Sequence, residues 1–365
     1  GAHFVEITTD NGLKGLGQSA CWAYPAAVHE VVGVFADYLV GKDPGNIEHH
    51  WQHLYRMGPF RGSVVSGALS AVDIALWDIK GQHLEVPIWD LLGGKCRDRL
   101  RLMWLMLGDF GSDKIAGKVR DGVAQGFTAV KFDPIPISAG DMSVDRLTTE
   151  VTGRVESARD AAGPDVDIVL EFHRRLTPVV ALPLIAALQK FNCLFIEDPI
   201  QIDSISSQAD IAARSLVPIA NGERLHTIWE YRELLAQGGS QYLRPDPGLA
   251  GGITHGKKIA AIGESHHSAV VTHNFLGPVL TATSVHLMAS IPNFVVQEFS
   301  AIDEGPAAEG YISHLKREGG DMLVPDTPGL GVSLNPQAKD VCLSPLTAPL
   351  HDIPLRRDGS VAWSV

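Results

Sequence analysis

Short apolar runs recur through the middle of the chain at nearly even steps, and each closes on a polar residue. DIVLEFH, CLFIEDP and VPIANGERL carry Glu171, Glu197 and Glu223, separated by two gaps of 26 residues. Runs of that length read as buried strands. Each gap leaves room for a loop, one helix and a return loop, which makes every interval one βα unit. The period continues through QYLRPD to Asp246, AVVTH to His273 and FVVQE to Glu298, in steps of 23, 27 and 25 residues. Upstream, FTAVKFD ends on Lys131 and Asp133, and LRLMWLML begins near Leu100. Eight strand candidates with helical patterns between them predict a (β/α)8 barrel rather than an open sheet.

In such barrels chemistry collects at the C-terminal rim, so the polar residues that close the strands are candidates for function. A single strand-end carboxylate reads most simply as a salt bridge or a helix cap. Three on consecutive strands are different, because they lie side by side and repel strongly at low dielectric. A divalent cation relieves that repulsion. Oxygen-only ligation without a Cys or His cluster points to a hard ion, Mg²⁺ before Mn²⁺, held by Glu171, Glu197 and Glu223.

The first hundred residues have another character. AHFVEITTDNGLKGLGQ alternates like two strands joined at Asn11-Gly12. In SGALSAVDIALWDIKGQ the residues Ala68, Ala71, Val72, Ala75, Leu76 and Ile79 recur at helical spacing. These patterns predict a small α+β domain over residues 1–95, packed on a barrel of residues 96–324. The chain then returns to it in segment 325–365, where TPGLGVSLN reads as a turn and a strand.

Composition narrows the function. At 365 residues and 45% hydrophobic content, the chain can bury one large core and a second small domain. A formal charge of −12, with no basic run, argues against nucleic acid or an anionic membrane as partner. No stretch approaches a bilayer span and no signal peptide is visible, although the chain starts at Gly1 without Met. Cys21, Cys96, Cys193 and Cys342 lack CxxC spacing and read as free thiols in a reducing, cytoplasmic setting.

Most of the 15 histidines fall in helical or loop patterns, where a solvated or satisfied ring is the default. His173 and His273 stand apart. His173 lies two residues past Glu171, so on an extended strand it points to the same side. His273 closes a strand beside the one that Asp246 closes, which places a carboxylate within reach of a candidate general base.

EFHRR, LFIEDP, NGERL, LRPDPGLAGGITHGKKIA, THNFLGPV and VVQE, in this order and spacing, resemble the enolase superfamily, mandelate racemase subgroup, over nearly the whole chain. The resemblance implies a modified (β/α)7β barrel with an N-terminal capping domain, whose first strand is expected before Gly1. It also implies one Mg²⁺, removal of a proton α to a carboxylate, and a homo-oligomer. Racemases of the group carry Lys-x-Lys on the second barrel strand. Here Lys131-Phe132-Asp133 lacks the second lysine, which disfavours two-base racemisation and leaves His273 with Asp246 as the base. The Glu-x-His placement of His173 is similar to acid-sugar dehydratases, the D-galactonate dehydratases especially, in which this His protonates a departing hydroxyl.

The expected activity is therefore dehydration of an aldonic acid to a 2-keto-3-deoxy acid. The resemblance implies that Glu298 hydrogen-bonds the enediolate oxygen and that Lys131 contacts the substrate carboxylate or sets local charge, with Asp133 nearby. Two departures stand out: Glu171 replaces a shorter Asp, and Arg174 replaces a Gly where it could crowd or contact the ligand. Substrate selection is expected from the cap, with residues 18–25 as a candidate lid carrying Trp22 and Tyr24, and Trp51, Tyr55 and Arg56 as candidate pocket residues. Epimerisation or lactone cycloisomerisation on the same site is the alternative reaction, and a non-catalytic barrel the distant one.

Overall fold

The structure, a computed structural model, describes residues 3–338 and 354–362. The chain opens with an antiparallel hairpin of β1 (His3–Thr8) and β2 (Lys14–Ser19). Four helices follow: α1 (Pro25–Leu39), α2 (Ile47–Arg56), α3 (Ser63–His83) and α4 (Ile88–Leu91). α3 is buried around almost its whole circumference, because the hairpin and α1 pack on some sides and the barrel on another. That is why its apolar pattern is broader than one helical stripe.

The barrel then alternates strand and helix: β3 (Arg99–Met106), α5 (Ser112–Ala124), β4 (Ala129–Phe132), α6 (Val144–Ala162), β5 (Asp167–Glu171), α7 (Pro178–Leu188), β6 (Phe195–Glu197) and α8 (Ile205–Arg214). It continues with β7 (Ile219–Asn221), α9 (Ile228–Ala236), β8 (Tyr242–Leu243), α10 (Gly252–Ser265), β9 (Ala269–Val270), α11 (Pro278–Ala289) and β10 (Gln297–Phe299). Each strand from β3 to β8 pairs in parallel with the next, and β10 pairs in parallel with β3. The ring closes through a single parallel bridge, Val270 to Phe294, with Val270 N donating to Asn293 O at 2.8 Å.

The eighth strand has no barrel helix after it. The chain runs instead through short 3-10 turns into β11 (Tyr311–Ser313), β12 (Lys316–Glu318), β13 (Asp321–Leu323) and β14 (Val332–Leu334). The result is a (β/α)7β barrel, so the eightfold reading of the period overshoots by one helix. β13 lies antiparallel on β3, and β14 pairs with β11. Between them Leu330 N donates to Asp78 Oδ1 of α3 at 2.8 Å, which ties this segment to the cap. Cys342 and residues 339–353 of the expected returning segment lie outside the described residues.

One apolar residue from most strands fills the barrel interior: Met103, Ala129, Val169, Phe195, Ala220, Val271 and Val296. Side chains alternate across a strand, so the residue two further on faces the same interior, nearer the C-terminal end. Those positions are Lys131, Glu171, Glu197, His273 and Glu298. β7 is the exception, since two beyond Ala220 comes Gly222. Its φ of +133°, a conformation that side chains avoid, re-aims the chain so that Glu223 takes the inward place.

The cap docks on the start of α10. Trp51 stacks on His255 with ring centroids 3.6 Å apart and donates from Nε1 to Gly251 O at 2.9 Å. Asp73, fully buried, accepts from Thr254 N at 3.0 Å and from Thr254 Oγ1. A Cβ on Gly252 would lie 2.2 Å from Asp73 Oδ2, so this approach needs glycine. Ala20 N at the end of β2 donates to Gly248 O at 2.8 Å.

His255 makes this joint sensitive to acid. Both its ring nitrogens are buried without a hydrogen-bond partner. Burial, aided by Lys258 and Arg56 against Glu48, lowers its pKa from 6.5 to about 3. The unfolded chain gains this proton below its ordinary pKa and the folded chain does not, so stability falls as pH drops below that value, by about 1.4 kcal/mol per unit. Replacing His255→Phe keeps the stack without the titration. The fall in urea unfolding free energy between pH 7 and pH 5 should shrink by roughly 2 kcal/mol; an unchanged fall would count against this origin.

Candidate active site

Glu171, Glu197 and Glu223 converge at the C-terminal end of β5, β6 and β7, each with one carboxylate oxygen within 4.8 Å of the others, and all three are buried. Glu171 and Glu197 stand at the last residue of their strands and pair in register. Glu171 Oε1 accepts from His173 N at 2.8 Å, and Glu197 Oε1 accepts from Arg244 Nε at 2.7 Å. The second oxygen of each accepts no hydrogen bond. Lys131 Nζ lies 2.9 Å from Glu171 Oε2 and 2.7 Å from Glu197 Oε2, close ion pairs whose angles fall short of hydrogen bonds.

Five carboxylates share this volume: the three glutamates, Asp198 and Glu298, all 2% exposed or less. Three buried cations stand among them. Lys131 also reaches Glu298 Oε2 at 2.8 Å, Arg244 bridges Glu197 and Glu298, and Arg174 Nη1 lies 2.6 Å from both Asp198 Oδ2 and Glu223 Oε1. The electrostatics are uneven. Burial and the Glu171 charge push Glu197 up to about 8 against the pull of Arg244 and Lys131. Burial also works against Glu298, but Arg244 and Lys131 outweigh it and hold that carboxyl down at about 2. Buried carboxylate oxygens in a crowded cluster, two of them accepting no hydrogen bond, suit a hard cation, which takes oxygen ligands and supplies positive charge.

A histidine flanks the cluster on either side in strand order. His273 Nδ1 is 2.7 Å from Asp246 Oδ2, and its Nε2 is 3.4 Å from Glu223 Oε2. Burial opposes protonation of this ring, yet Glu223 and the Asp246 hydrogen bond outweigh it and raise its pKa. Gly248 N donates to Asp246 Oδ1 at 2.8 Å, leaving the other oxygen for the ring. On the opposite flank His173 Nδ1 is 2.7 Å from Asp133 Oδ2, and Arg175 Nη2 is 3.0 Å from the same oxygen. His173 is not on an extended strand. β5 stops at Glu171, and His173 and Arg174 both adopt left-handed backbone, φ +47° and +62°. The ring nears Glu171 through a turn, so the same-side argument from strand alternation does not apply.

The other expected residues divide between the cluster and the cap. Lys131 is 2% exposed and enclosed by three carboxylates. Asp133 contacts His173, Arg175 and Ile135 N. Glu298 accepts from Asn274 N at 2.9 Å, and Arg244 and Lys131 hold its carboxyl low. Arg174 faces Asp198 and Glu223. Trp22 stands beside Arg224, whose guanidinium is 5.9 Å from its ring and whose Nε is 3.2 Å from Glu223 Oε1. Arg56 is an exposed residue of α2 bonded to Gln52, and Trp51 and Tyr55 stack at the joint with His255 and Trp229; none of the three is brought to the carboxylates.

Arg244 is the main residue that sequence reasoning passed over. Its signal was an arginine in QYLRPD, two residues before Asp246, at the end of an apolar run where nothing local could neutralise it. A cavity of 140 Å³ opens on the His173 flank, lined by Met106, Leu107, Asp133, Ile137, Glu171 and His173 among others. A larger one of 690 Å³ lies under the cap hairpin and shares no residue with the carboxylate cluster, so chemistry rather than size locates the site.

Comparison with known proteins bears on the same residues. Residues 2–93 match the family described as mandelate racemase / muconate lactonizing enzyme, N-terminal domain, and residues 114–338 match enolase C-terminal domain-like. A D-galactonate dehydratase from Ralstonia nicotianae is 37% identical, covering 98% of this chain and 95% of that protein. Another from Verminephrobacter eiseniae is 37% identical over 91% of this chain and 88% of its own length. Among solved structures, an enolase from Agrobacterium radiobacter, described as a galactarate dehydratase with bound Na and L-malate, has a TM-score of 0.92 at 26% identity, covering 99% of this chain and 95% of that one.

Removing Arg244 tests the charge balance directly. Arg244→Leu leaves Glu197 and Glu298 buried without their guanidinium and should lower unfolding free energy by about 3–5 kcal/mol in a denaturant titration. A loss under about 1 kcal/mol would mean that the cluster is compensated another way.

Proposed function

We propose, for a chain that belongs to the mandelate racemase / muconate lactonizing enzyme group of the enolase superfamily, that it dehydrates an acid sugar of the aldonic class, giving a 2-keto-3-deoxy acid with the help of one Mg²⁺. The observation that carries this reading is the pairing of two Asp-held histidines with three buried, converging glutamates. The D-galactonate dehydratase relatives support it.

Glu171, Glu197 and Glu223 would hold the ion, which supplies Lewis-acid stabilisation to the charge that develops on the substrate carboxylate. The protein does the rest. Asp246 holds the Nδ1 proton of His273 and fixes its tautomer, so Nε2 is the nitrogen free to take the α-proton. Asp133 does the same for His173, whose Nε2 is then placed to protonate the 3-hydroxyl as it leaves. The electron pair left by the α-proton forms the new C2–C3 double bond, and the hydroxyl departs as water. Tautomerisation of the resulting enol then gives the ketone. Lys131 and Arg244 supply positive charge beside Glu171, Glu197 and Glu298 before substrate arrives. With Asp133 where two-base racemases carry a lysine, no second cationic base faces the α-carbon, which favours elimination over racemisation.

The test follows the proton. With an aldonic acid, Mg²⁺ and enzyme in ²H₂O, His273→Asn should abolish both α-exchange and ketone formation, by at least about a thousandfold. His173→Gln should lose ketone about a hundredfold while exchange persists. Exchange retained in His273→Asn sinks the base assignment, and equal losses in His173→Gln sink the acid. Exchange without ketone in the unaltered enzyme, across a panel of aldonic and aldaric acids, would favour the epimerase reading.

A further inference from the structure

We propose that Arg174 is a built-in counter-cation that weakens the hold of the glutamate cluster on its metal ion. This rests on the reading of Glu171, Glu197 and Glu223 as a cation site. Lys131 and Arg244 serve Glu171, Glu197 and Glu298, whereas Arg174 serves Glu223 and Asp198. Its side chain is 4% exposed, so water screens it little.

The charge count shows what it does. Glu171, Glu197, Asp198, Glu223 and Glu298 already have Lys131, Arg174 and Arg244 buried among them, with the less buried Arg224 also on Glu223. Without Arg174 one positive charge fewer would stand beside Glu223, and the pull on any cation would rise. The guanidinium already rests on a carboxylate that the ion also needs, and like charges that close repel strongly inside a protein.

Arg174 is not needed to aim Glu223. That residue is directed by the Gly222 turn, its Oε1 is 3.2 Å from Arg224 Nε, and its Oε2 is 3.4 Å from His273 Nε2. The backbone points to a dedicated role for residue 174. It is held left-handed, φ +62°, with its N donating to Asp198 O at 2.8 Å and its O accepting from Gln201 Nε2 at 2.9 Å. Left-handed backbone is unfavourable for a residue that carries a Cβ, so the surrounding fold holds the arginine in place.

The test compares charge at constant backbone strain. Chelator-stripped full-length protein is titrated with MgCl2 by calorimetry, in the unaltered form and as Arg174→Lys and Arg174→Gln. Both variants keep a Cβ at the same φ and differ in charge. The lysine variant should bind within about threefold of the unaltered protein, and the glutamine variant at least about tenfold more tightly than the lysine variant. If the glutamine variant does not fold without ion, Arg174→Gly, which suits the left-handed backbone, replaces it. Mg²⁺ should then raise the melting temperature of the glycine variant more than that of the unaltered protein. Equal or weaker binding by the glutamine variant, or an equal or smaller thermal shift in the glycine variant, overturns the proposal. Failure of the unaltered protein to bind any divalent cation overturns instead the cation-site reading beneath it.

Discussion

Negative charge confined to a small dry volume is the constraint on which the rest of this structure depends. Glu171, Glu197, Asp198, Glu223 and Glu298 are almost wholly excluded from water at one end of the barrel. Carboxylates so placed cannot all remain ionised unless cations are built in beside them. Lys131, Arg174 and Arg244 answer that need from β4, from the turn after β5 and from just past β8. The barrel wall thus supplies acids and bases from separate strands, and closure of the ring brings them together.

The apolar plug beneath sets the height of this layer. Because Val169, Phe195, Ala129, Val271 and Val296 each precede a polar residue by two, the pleat that buries the plug also lifts Glu171, Glu197, Lys131, His273 and Glu298 to one level. Packing and chemistry are here the same alternation read at successive residues. Only β7 needs a special device, the positive φ of Gly222.

Much of this was legible in the chain because it is local. A strand ending, its period and the polar residue that closes it lie within a few letters, and so Glu171, Glu197, Glu223, Asp246 and His273 could be singled out. Partnerships between strands were less visible. Asp133 and His173 are forty residues apart, and nothing in either segment announces that they share a proton. Arg244 drew no notice because its two carboxylates belong to β6 and β10. The left-handed turn at His173 and Arg174 was hidden for another reason: neither residue is a glycine, so propensity gave no warning. At the cap, the stacking of Trp51 and Tyr55 on residues of α10 and α9, about two hundred positions away in the chain, was likewise not announced locally.

The bond from Ala20 to Gly248 joins the cap to the same short loop that presents Asp246, two residues away. The two domains are therefore not freely interchangeable parts. A chimera that grafted a foreign cap onto this barrel would have to reproduce a backbone contact close to the Asp246–His273 pair, or else inherit a loosened imidazole. Exposed side chains on the cap's loops, by contrast, can change while leaving that main-chain bond untouched.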